Sequence, residues 1–402
     1  MAKENPAAEK PFFTLLRGAE VLAPAPLGQQ DVLLAGEKIA LIGPDLSVPA
    51  GWGCQEIRLN GYTLVPGFID GHVHMIGGGG EGGYPTRTPE LTLSAATRAG
   101  VTTVVGCLGT DGVTRHMTSL LAKARGLEAE GITTYIYTGA YEVPTPTITG
   151  SVRSDLIIID KVIGAGEIAI SDHRSAQPLQ ADIQKLAAQA RVGGILSGKA
   201  GVVNLHLGDG KNGLSIPLAI VEEGEIPITQ FIPTHVNRNA RLFKEAIEWG
   251  KRGGFMDITS GVSPAIGFAQ AIKPSRAVRE ALAAGVALSR ITMSSDGNGS
   301  MPRFDEHGNM LGLTVASQDS LLAELGDLVR REGLPLAEAI QVITSNVAQA
   351  LKLWPRKGAI QAGADADLVA LTPDLAIHQV WARGRLMVDG GKPIVFGTFE
   401  QG

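Results

Sequence analysis

The chain has 402 residues, 44% of them hydrophobic, and a formal net charge of −5 from 35 basic and 40 acidic side chains. This composition lacks the positive excess that nucleic-acid binding requires, and no stretch approaches the roughly 20 uninterrupted apolar residues of a membrane span. With only Cys54 and Cys107, the chain excludes a disulfide framework and a thiolate-rich metal site, so we expect any metal to be held by histidine and carboxylate. Residues 1–10 are polar and charged, unlike a secretory signal, which predicts a cytoplasmic protein.

The two ends of the chain read as short strands separated by Gly and Pro turns. Strand-like runs near the amino terminus are FFTLLRGAEVL, QDVLLAGEKIALIG and EIRLNGYTLV, and those near the carboxyl terminus are DADLVAL, IHQVWARGRLMVDGG and KPIVFG. Two β-rich ends predict one small β-sandwich domain, built from residues 1–64 and 357–402. The central domain then covers residues 65–356.

In this central region, apolar strand-like runs alternate with segments of helical period, as is typical of parallel α/β structures. The runs are TLVPGFIDGHVH, TTVVGCLG, TTYIYTGAY, EIAIS, GVVNLHLG, IPITQFIPTH, FMDITS and RITMSSD. Eight strands with intervening helices predict a closed (β/α)8 barrel. An open doubly wound sheet is the alternative, but it would normally have fewer parallel strands.

Ionisable residues stand at the ends of these predicted strands, where barrel enzymes carry their chemistry. Strand 1 ends in an HVH motif whose His72 and His74 share one face, because residues two apart on a strand point the same way. Strands 5, 6 and 8 end in His206, His235 and Asp296. Nitrogen and oxygen ligands of this kind suit Zn²⁺ and related ions, so the pattern predicts a metal site.

A further carboxylate, Glu167, is predicted at the start of strand 4, in EIAIS. We expect the β-branched Ile168 and Ile170 to face the helices, which leaves Glu167 facing the barrel interior. A buried carboxylate requires a metal or a basic partner. The alternative is an ordinary exposed charge at a strand start.

Longer motifs resemble known proteins. PGFIDGHVH, VNLHLGD, PTHVNRN and SSDGNGS resemble the amidohydrolase superfamily. Within it, HVHMIGGGGEGG, LGTDGVTRH, TGAYEVP, TITGSV, ISDHRSA and THVNRN are similar to the β-aspartyl (isoaspartyl) dipeptidases of peptidase family M38, from about residue 12 to the carboxyl terminus.

The resemblance implies two Zn²⁺ per subunit, with Asp296 as both a ligand and the residue that transfers the proton. The implied metal ligands are His72, His74, Glu167, His206, His235 and Asp296. It also implies that Glu81 binds a free α-amino group, that Arg174 and Arg238 bind carboxylates, and that Tyr141 contacts the scissile carbonyl. The remaining implied polar contacts to substrate come from Gly79, Thr110 and Ser300.

This sequence departs from many relatives at one position, because Glu167 aligns with a carboxylated lysine that bridges two metals. We favour a direct glutamate bridge. The alternatives are that Lys161 serves instead, or that only one metal binds well.

The resemblance implies hydrolysis of β-aspartyl dipeptides to aspartate and an amino acid by a metal-bound hydroxide, in a homo-oligomer whose expected size is an octamer. An amidohydrolase acting on cyclic amides or N-acyl amino acids is the nearest alternative, since fold does not determine substrate. TGAYEVP and THVNRN argue against it. A non-catalytic barrel that has become an assembly protein is the third hypothesis.

Overall fold

The structure is a computed structural model that describes residues 12–304 and 310–401. The opening segment, residues 1–10, for which we predicted no secretory signal, lies outside the described residues, as does the last residue of the predicted carboxyl-terminal segment. Within the described ranges, no helix combines the length and the apolar character needed to cross a membrane.

The strands of the described ranges are, in chain order, β1 Phe13–Leu22, β2 Pro26–Ala35, β3 Lys38–Gly43, β4 Cys54–Arg58, β5 Thr63–Pro66, β6 Phe68–Val73, β7 Val101–Gly106, β8 Thr133–Thr138, β9 Val162–Ile170, β10 Val202–Leu207, β11 Phe231–Thr234, β12 Met256–Thr259, β13 Ile291–Ser294, β14 Ser300–Phe304, β15 Met310–Val315, β16 Leu368–Leu371, β17 Ile377–Ala382, β18 Arg385–Asp389 and β19 Lys392–Pro393. The α-helices are α1 Leu93–Arg98, α2 Met117–Glu130, α3 Val152–Ile158, α4 Gln180–Ser197, α5 Ser215–Glu223, α6 Ala240–Lys251, α7 Pro274–Ala283, α8 Asp319–Arg330, α9 Leu336–Ala339 and α10 Ser345–Ala350.

Strands β6 to β13 form a parallel barrel. β6 to β11 pair in chain order in one sheet, and β12 pairs with β13. The backbone N–H of Val236, just after β11, donates to the carbonyl of Asp257 in β12 at 3.4 Å, and that of His74, just after β6, donates to Gly297, beyond β13, at 2.8 Å. A helix follows each of β6 to β12, so the (β/α)8 fold class predicted from the sequence is confirmed.

One predicted strand start is wrong. β9 begins at Val162, so Glu167 lies in its interior and not at its first position. The beginning of this strand was not recognised from the sequence because it contains glycines. Glycine is depleted in strands and weakens the pattern from which a strand is predicted. Gly166 is needed for close strand packing: a Cβ there would lie 2.8 Å from the Cβ of Asn204 on β10.

Both ends of the chain share one sheet. Its order is β19-β18-β17-β16-β5-β1-β2-β3, with β4 paired to β1. β5 joins the two ends because it pairs with β1 in parallel and with β16 in antiparallel fashion. A separate apolar core fills this domain, including Leu16, Val32, Leu64, Leu368 and Trp381. The boundaries near residues 64 and 356 stay predictions; β5 ends at Pro66 and β16 begins at Leu368.

A buried lysine links the barrel to this sheet. Nζ of Lys357 donates to Oγ1 of Thr133 on β8 at 2.6 Å, lies 2.9 Å from Oδ2 of Asp365, and is also paired with Asp367. Burial lowers the pKa of Lys357, but the charges of Asp367 and Asp365 outweigh burial and raise it above its ordinary value. The lysine is therefore charged and held by two carboxylates between the domains.

Candidate active site

Glu167 lies between two pairs of histidines at the carboxyl-terminal end of the barrel. Its Oε2 is 3.4 Å from Nε2 of His72 and 3.9 Å from Nε2 of His74. Its other oxygen, Oε1, is 2.6 Å from Nδ1 of His206 and 3.1 Å from Nε2 of His235. One carboxylate thus presents a separate oxygen to each pair of histidines.

Asp296 joins the first pair. Its Oδ1 lies 3.0 Å from Nε2 of His74 and 3.5 Å from Nε2 of His72. Asp296 has φ 57° and His235 has φ 62°, a left-handed conformation that is uncommon for residues other than glycine. The chain therefore turns sharply at these two strand ends, and the turns aim both side chains into the cluster.

Buried polar atoms of this cluster fit divalent metal ions. Within the described part of the chain, no hydrogen-bond partner is found for either ring nitrogen of His72, for Oε2 of Glu167 or for Oδ1 of Asp296. Burial raises the pKa of Glu167, but the positive charges of His72 and His206 override it and hold that pKa well below its usual value. Burial lowers the pKa of His235 to about 4. Glu167 and His235 are therefore already in the ionised and neutral forms, respectively, that bind a metal.

Two residues that the sequence reasoning missed orient the second histidine pair. Nε2 of His206 donates to Oδ2 of Asp172 at 2.9 Å, and Nδ1 of His235 lies 2.7 Å from Oγ1 of Thr259. Such contacts leave the opposite ring nitrogen free to bind a metal. Asp172 stands in the ISDHRSA motif beside Arg174, so its position just after β9 was the available signal.

Cys107, which the sequence analysis did not treat as a site residue, also lies beside the cluster. It follows β7 directly, and its sulfur belongs to a group with His72, His74 and Glu167 whose possible ligand atoms all lie within 4.8 Å of one another. A cysteine thus lies among the possible ligand atoms, beside the histidines and carboxylates that the sequence analysis considered. A search of the strand ends for cysteine as well as histidine would have identified Cys107.

Lys161 does not lie with this cluster. It precedes β9, at the opposite end of that strand from the histidines, and its Nζ donates to the carbonyl of Thr134 at 3.2 Å and pairs with Glu128. A bridge from Lys161 would require the side chain to cross the barrel interior. Of the carboxylate sources considered for the bridge, Glu167 is the one placed between the histidines.

A cavity of about 570 Å³ opens above the cluster. His74, His206, His235 and Asp296 contribute to its wall. All of the predicted substrate-contacting residues line it as well: Gly79, Glu81, Thr110, Tyr141, Arg174, Arg238 and Ser300. His72 and Glu167 are buried more deeply, with 1% and 0% of their surface exposed.

Charged side chains in the cavity are already paired. Arg174 donates through Nη1 to Oε1 of Glu81 at 3.2 Å and through Nη2 to Oδ2 of Asp172 at 2.8 Å, and Thr110 donates to the same Glu81 oxygen at 2.9 Å. Arg238 donates to the carbonyl of Leu207 at 2.8 Å. Both guanidinium groups are thereby held at the cavity wall.

The hydroxyl of Tyr141 lies at the boundary between cavity and cluster, 2.7 Å from Nδ1 of His206. Burial, reinforced by the negative charge of Glu167, raises the pKa of Tyr141 well above its usual value. The hydroxyl therefore keeps its proton at neutral pH and can donate a hydrogen bond.

A parallel (β/α)8 barrel with this arrangement of histidines and carboxylates at its strand ends defines a metal-dependent hydrolase of the amidohydrolase type. Residues 260–387 match the model of the amidohydrolase family. A β-aspartyl dipeptidase from the thermophilic, keratin-degrading Fervidobacterium islandicum AW-1, solved in complex with the dipeptide β-Asp-Leu, superimposes with a TM-score of 0.87. The two sequences are 44% identical, and the match covers 95% of this chain and 98% of that one. This chain therefore belongs to the β-aspartyl dipeptidases of the amidohydrolase family, and the resemblance found in its motifs is confirmed.

Shorter matches connect the chain to other members of the superfamily. An adenine deaminase from Deinococcus radiodurans is 43% identical over 63 residues, which are 15% of this chain and 11% of the deaminase. A dihydroorotase from Listeria monocytogenes serotype 4b is 30% identical over 165 residues, 40% of this chain and 35% of the dihydroorotase. The matched segments thus span about a third or less of these curated relatives.

Proposed function

We propose that this protein hydrolyses β-aspartyl dipeptides to aspartate and an amino acid, and that it uses two divalent metal ions per subunit, with zinc as the preferred ion. The observation that carries the proposal is the position of Glu167, whose two oxygens face two separate histidine pairs beneath a charged cavity. The β-aspartyl dipeptidase of similar sequence, solved with β-Asp-Leu, supports this choice of substrate.

The charges of the cavity match the charges of such a substrate. A β-aspartyl dipeptide carries one ammonium group and two carboxylates. Glu81 suits the ammonium, and Arg174 and Arg238 suit the carboxylates, because a guanidinium can bond a carboxylate through two parallel N–H groups. Nη1 of Arg174 lies 3.2 Å from Oε1 of Glu81 in this structure. A bound substrate would replace this contact with one contact to each side chain.

The bound ions, held by the residues of the cluster, would lower the pKa of a water molecule and polarise the scissile carbonyl. Asp296 acts as the general base that takes the proton of the attacking water and then delivers it to the leaving amine. Burial raises the pKa of Asp296, but the close contact with Nε2 of His74 and the nearby histidine charges lower it below its usual value. The side chain is therefore ionised at neutral pH, as a general base must be.

Tyr141 donates its hydroxyl proton to the oxygen on which negative charge develops. A donor placed at that oxygen stabilises the transition state more than the ground state. In this structure the hydroxyl contacts His206, and substrate binding would exchange that contact for one with the carbonyl oxygen.

The proposal is tested by comparing kcat/KM for β-Asp-Leu and α-Asp-Leu on zinc-loaded enzyme. We expect rapid hydrolysis of the β-isomer and almost none of the α-isomer, because only the β-carbonyl reaches the cluster when the amino and carboxylate groups are bound. Comparable values of kcat/KM for the two isomers would contradict the proposal. A cyclic amide and an N-acyl amino acid serve as control substrates: both lack the free ammonium group that Glu81 requires, and their preferential hydrolysis would favour the alternative amidohydrolase activities.

Absence of any hydrolysis, together with normal metal content, would favour the hypothesis of a non-catalytic assembly protein.

We also propose a cytoplasmic homo-oligomer, with an octamer as the expected size by resemblance. Light scattering of the purified protein measures that size directly.

A further inference from the structure

Cys107 lies beside the HVH motif. Its backbone N–H donates to the carbonyl of Val73, between His72 and His74, at 3.0 Å. The side chain is completely buried. This pairing between adjacent barrel strands brings the sulfur to the level of both histidines.

The sulfur is close to the polar atoms of the cluster. Sγ is 3.8 Å from Nδ1 of His74. Sγ, one ring nitrogen from each of His72 and His74, and one oxygen of Glu167 lie within 4.8 Å of one another. In a tetrahedral zinc site with Zn–S of about 2.3 Å and Zn–N of about 2.1 Å, ligand sulfur and nitrogen are about 3.6 Å apart. The measured sulfur-to-nitrogen distance of 3.8 Å is close to that value, and the whole group, with separations up to 4.8 Å, would have to contract around an ion.

A packing role alone does not account for this position. A free cysteine usually behaves as a small hydrophobic side chain, and one side of Cys107 does contact the apolar barrel interior around Ile69 and Val105. The other side faces His72, which is 1% exposed and whose two ring nitrogens have no hydrogen-bond partner in the described part of the chain. Oε2 of Glu167 is equally buried and equally without a partner. These atoms converge beside the sulfur.

We propose that Cys107 is a thiolate ligand of the metal ion bound by His72 and His74. On ligation the thiol proton is released to solvent and the sulfur forms a bond to the ion. A soft sulfur ligand favours Zn²⁺ or Co²⁺ over Mg²⁺ and Mn²⁺, which prefer oxygen. This inference rests on the metal site of the proposed function and adds a ligand to it.

The first test is zinc X-ray absorption spectroscopy on the full-length, zinc-loaded protein. We expect a sulfur shell at about 2.3 Å from zinc. A zinc environment of nitrogen and oxygen alone would overturn the proposal without any need for a variant. In that case the sulfur would instead accept a hydrogen bond from Nδ1–H of His74.

The second test uses cobalt. The Co²⁺-loaded protein should show a near-ultraviolet thiolate-to-cobalt charge-transfer band that is lost in Cys107→Ser and retained in Cys54→Ser. Cys54 is the matched control, because it is the other cysteine of the chain and lies on β4, in the β-domain. A band that survives Cys107→Ser would overturn the proposal. Should that variant not fold, as circular dichroism would reveal, the zinc measurement on the unmodified protein decides alone.

Hydrolysis of β-Asp-Leu is measured on the same samples. A sulfur shell without hydrolysis would reject the proposed function and keep this ligand. Hydrolysis without a sulfur shell would reject the ligand and keep the function.

Discussion

Asp172 accepts a hydrogen bond of 2.9 Å from Nε2 of His206 and holds Arg174 through a second bond of 2.8 Å. Burial raises the pKa of Asp172, but the hydrogen bonds from His206 and Arg174 outweigh burial and keep that pKa far below its usual value. One ionised carboxylate therefore orients both His206, a proposed metal ligand, and Arg174, a proposed substrate-binding residue.

We expect Asp172→Asn to keep the fold but to weaken metal binding or activity by about 10- to 100-fold, which is typical when the partner of a ligating histidine is lost. An amide can present N–H toward His206 where an acceptor is needed. Metal titration and kcat/KM for β-Asp-Leu measure the effect. Asp160→Asn is the control, since Asp160 is an exposed residue paired with Arg125, and an equal loss in both variants would contradict the assignment.

Glu167 is a permanent carboxylate, whereas a carboxylated lysine forms reversibly from CO2. We therefore expect apo-enzyme reloaded with zinc in bicarbonate-free buffer to recover full activity. Glu167→Gln, nearly the same size but a poorer bridge, should lose metal affinity and activity together, measured by metal analysis and turnover. A bicarbonate requirement, or a Gln variant that binds two metals with unchanged turnover, would show that Glu167 is not the bridge.

Asp296→Asn should retain the fold and most of the metal but lose about 10²- to 10⁴-fold in kcat, because an amide cannot accept the proton of the attacking water. Loss of a ligand oxygen would add to this effect. Steady-state kinetics and metal content, measured on the same preparation, separate the two contributions. Activity within tenfold of the unmodified enzyme would reject the role of Asp296 in proton transfer.

Lys357→Met should destabilise the protein by about 3–5 kcal/mol, since it leaves the buried Asp367 without its cation. The control is Lys38→Met: Lys38 also binds Asp365, at 2.6 Å, but its side chain is 50% exposed, and an exposed pair is worth about 0–1 kcal/mol. Denaturant unfolding measures both, and similar losses would contradict the expected difference.

The same cluster sets a pH dependence. Burial raises the pKa of Asp365, but the charge of Lys357 outweighs it and lowers that pKa below the ordinary 3.8. The contribution from Asp365 is thus present above pH 3.8 and lost as the pH falls through its folded-state pKa. The raised pKa of Lys357 contributes below pH 10.5, and that contribution is lost as the pH rises through its folded-state pKa. The stability difference between Lys357→Met and the unmodified protein should therefore be level near neutral pH and shrink at both extremes.

Much of the architecture was predictable from local patterns. Alternation of apolar runs with helical segments predicted the barrel, because parallel strands buried on both faces have continuous apolar sequences. The HVH motif placed His72 and His74 on one face of a strand. Strand 4 was predicted too short, because the glycines that let β9 approach β10 also remove the residues from which a strand is recognised.

The sequence alone determined the barrel, the small β-domain built from both ends of the chain, and the positions of the histidines at strand ends. Each of these features can be recognised from the order of residues within a strand and from the residues that follow its carboxyl end. The tertiary structure decided which atoms meet. Asp172 reaches His206 across 34 residues of chain, and Cys107 reaches His74 across 33. Only strand pairing and barrel closure bring such side chains within a few ångströms, so the division of the Glu167 oxygens between two histidine pairs could be seen only in the folded protein.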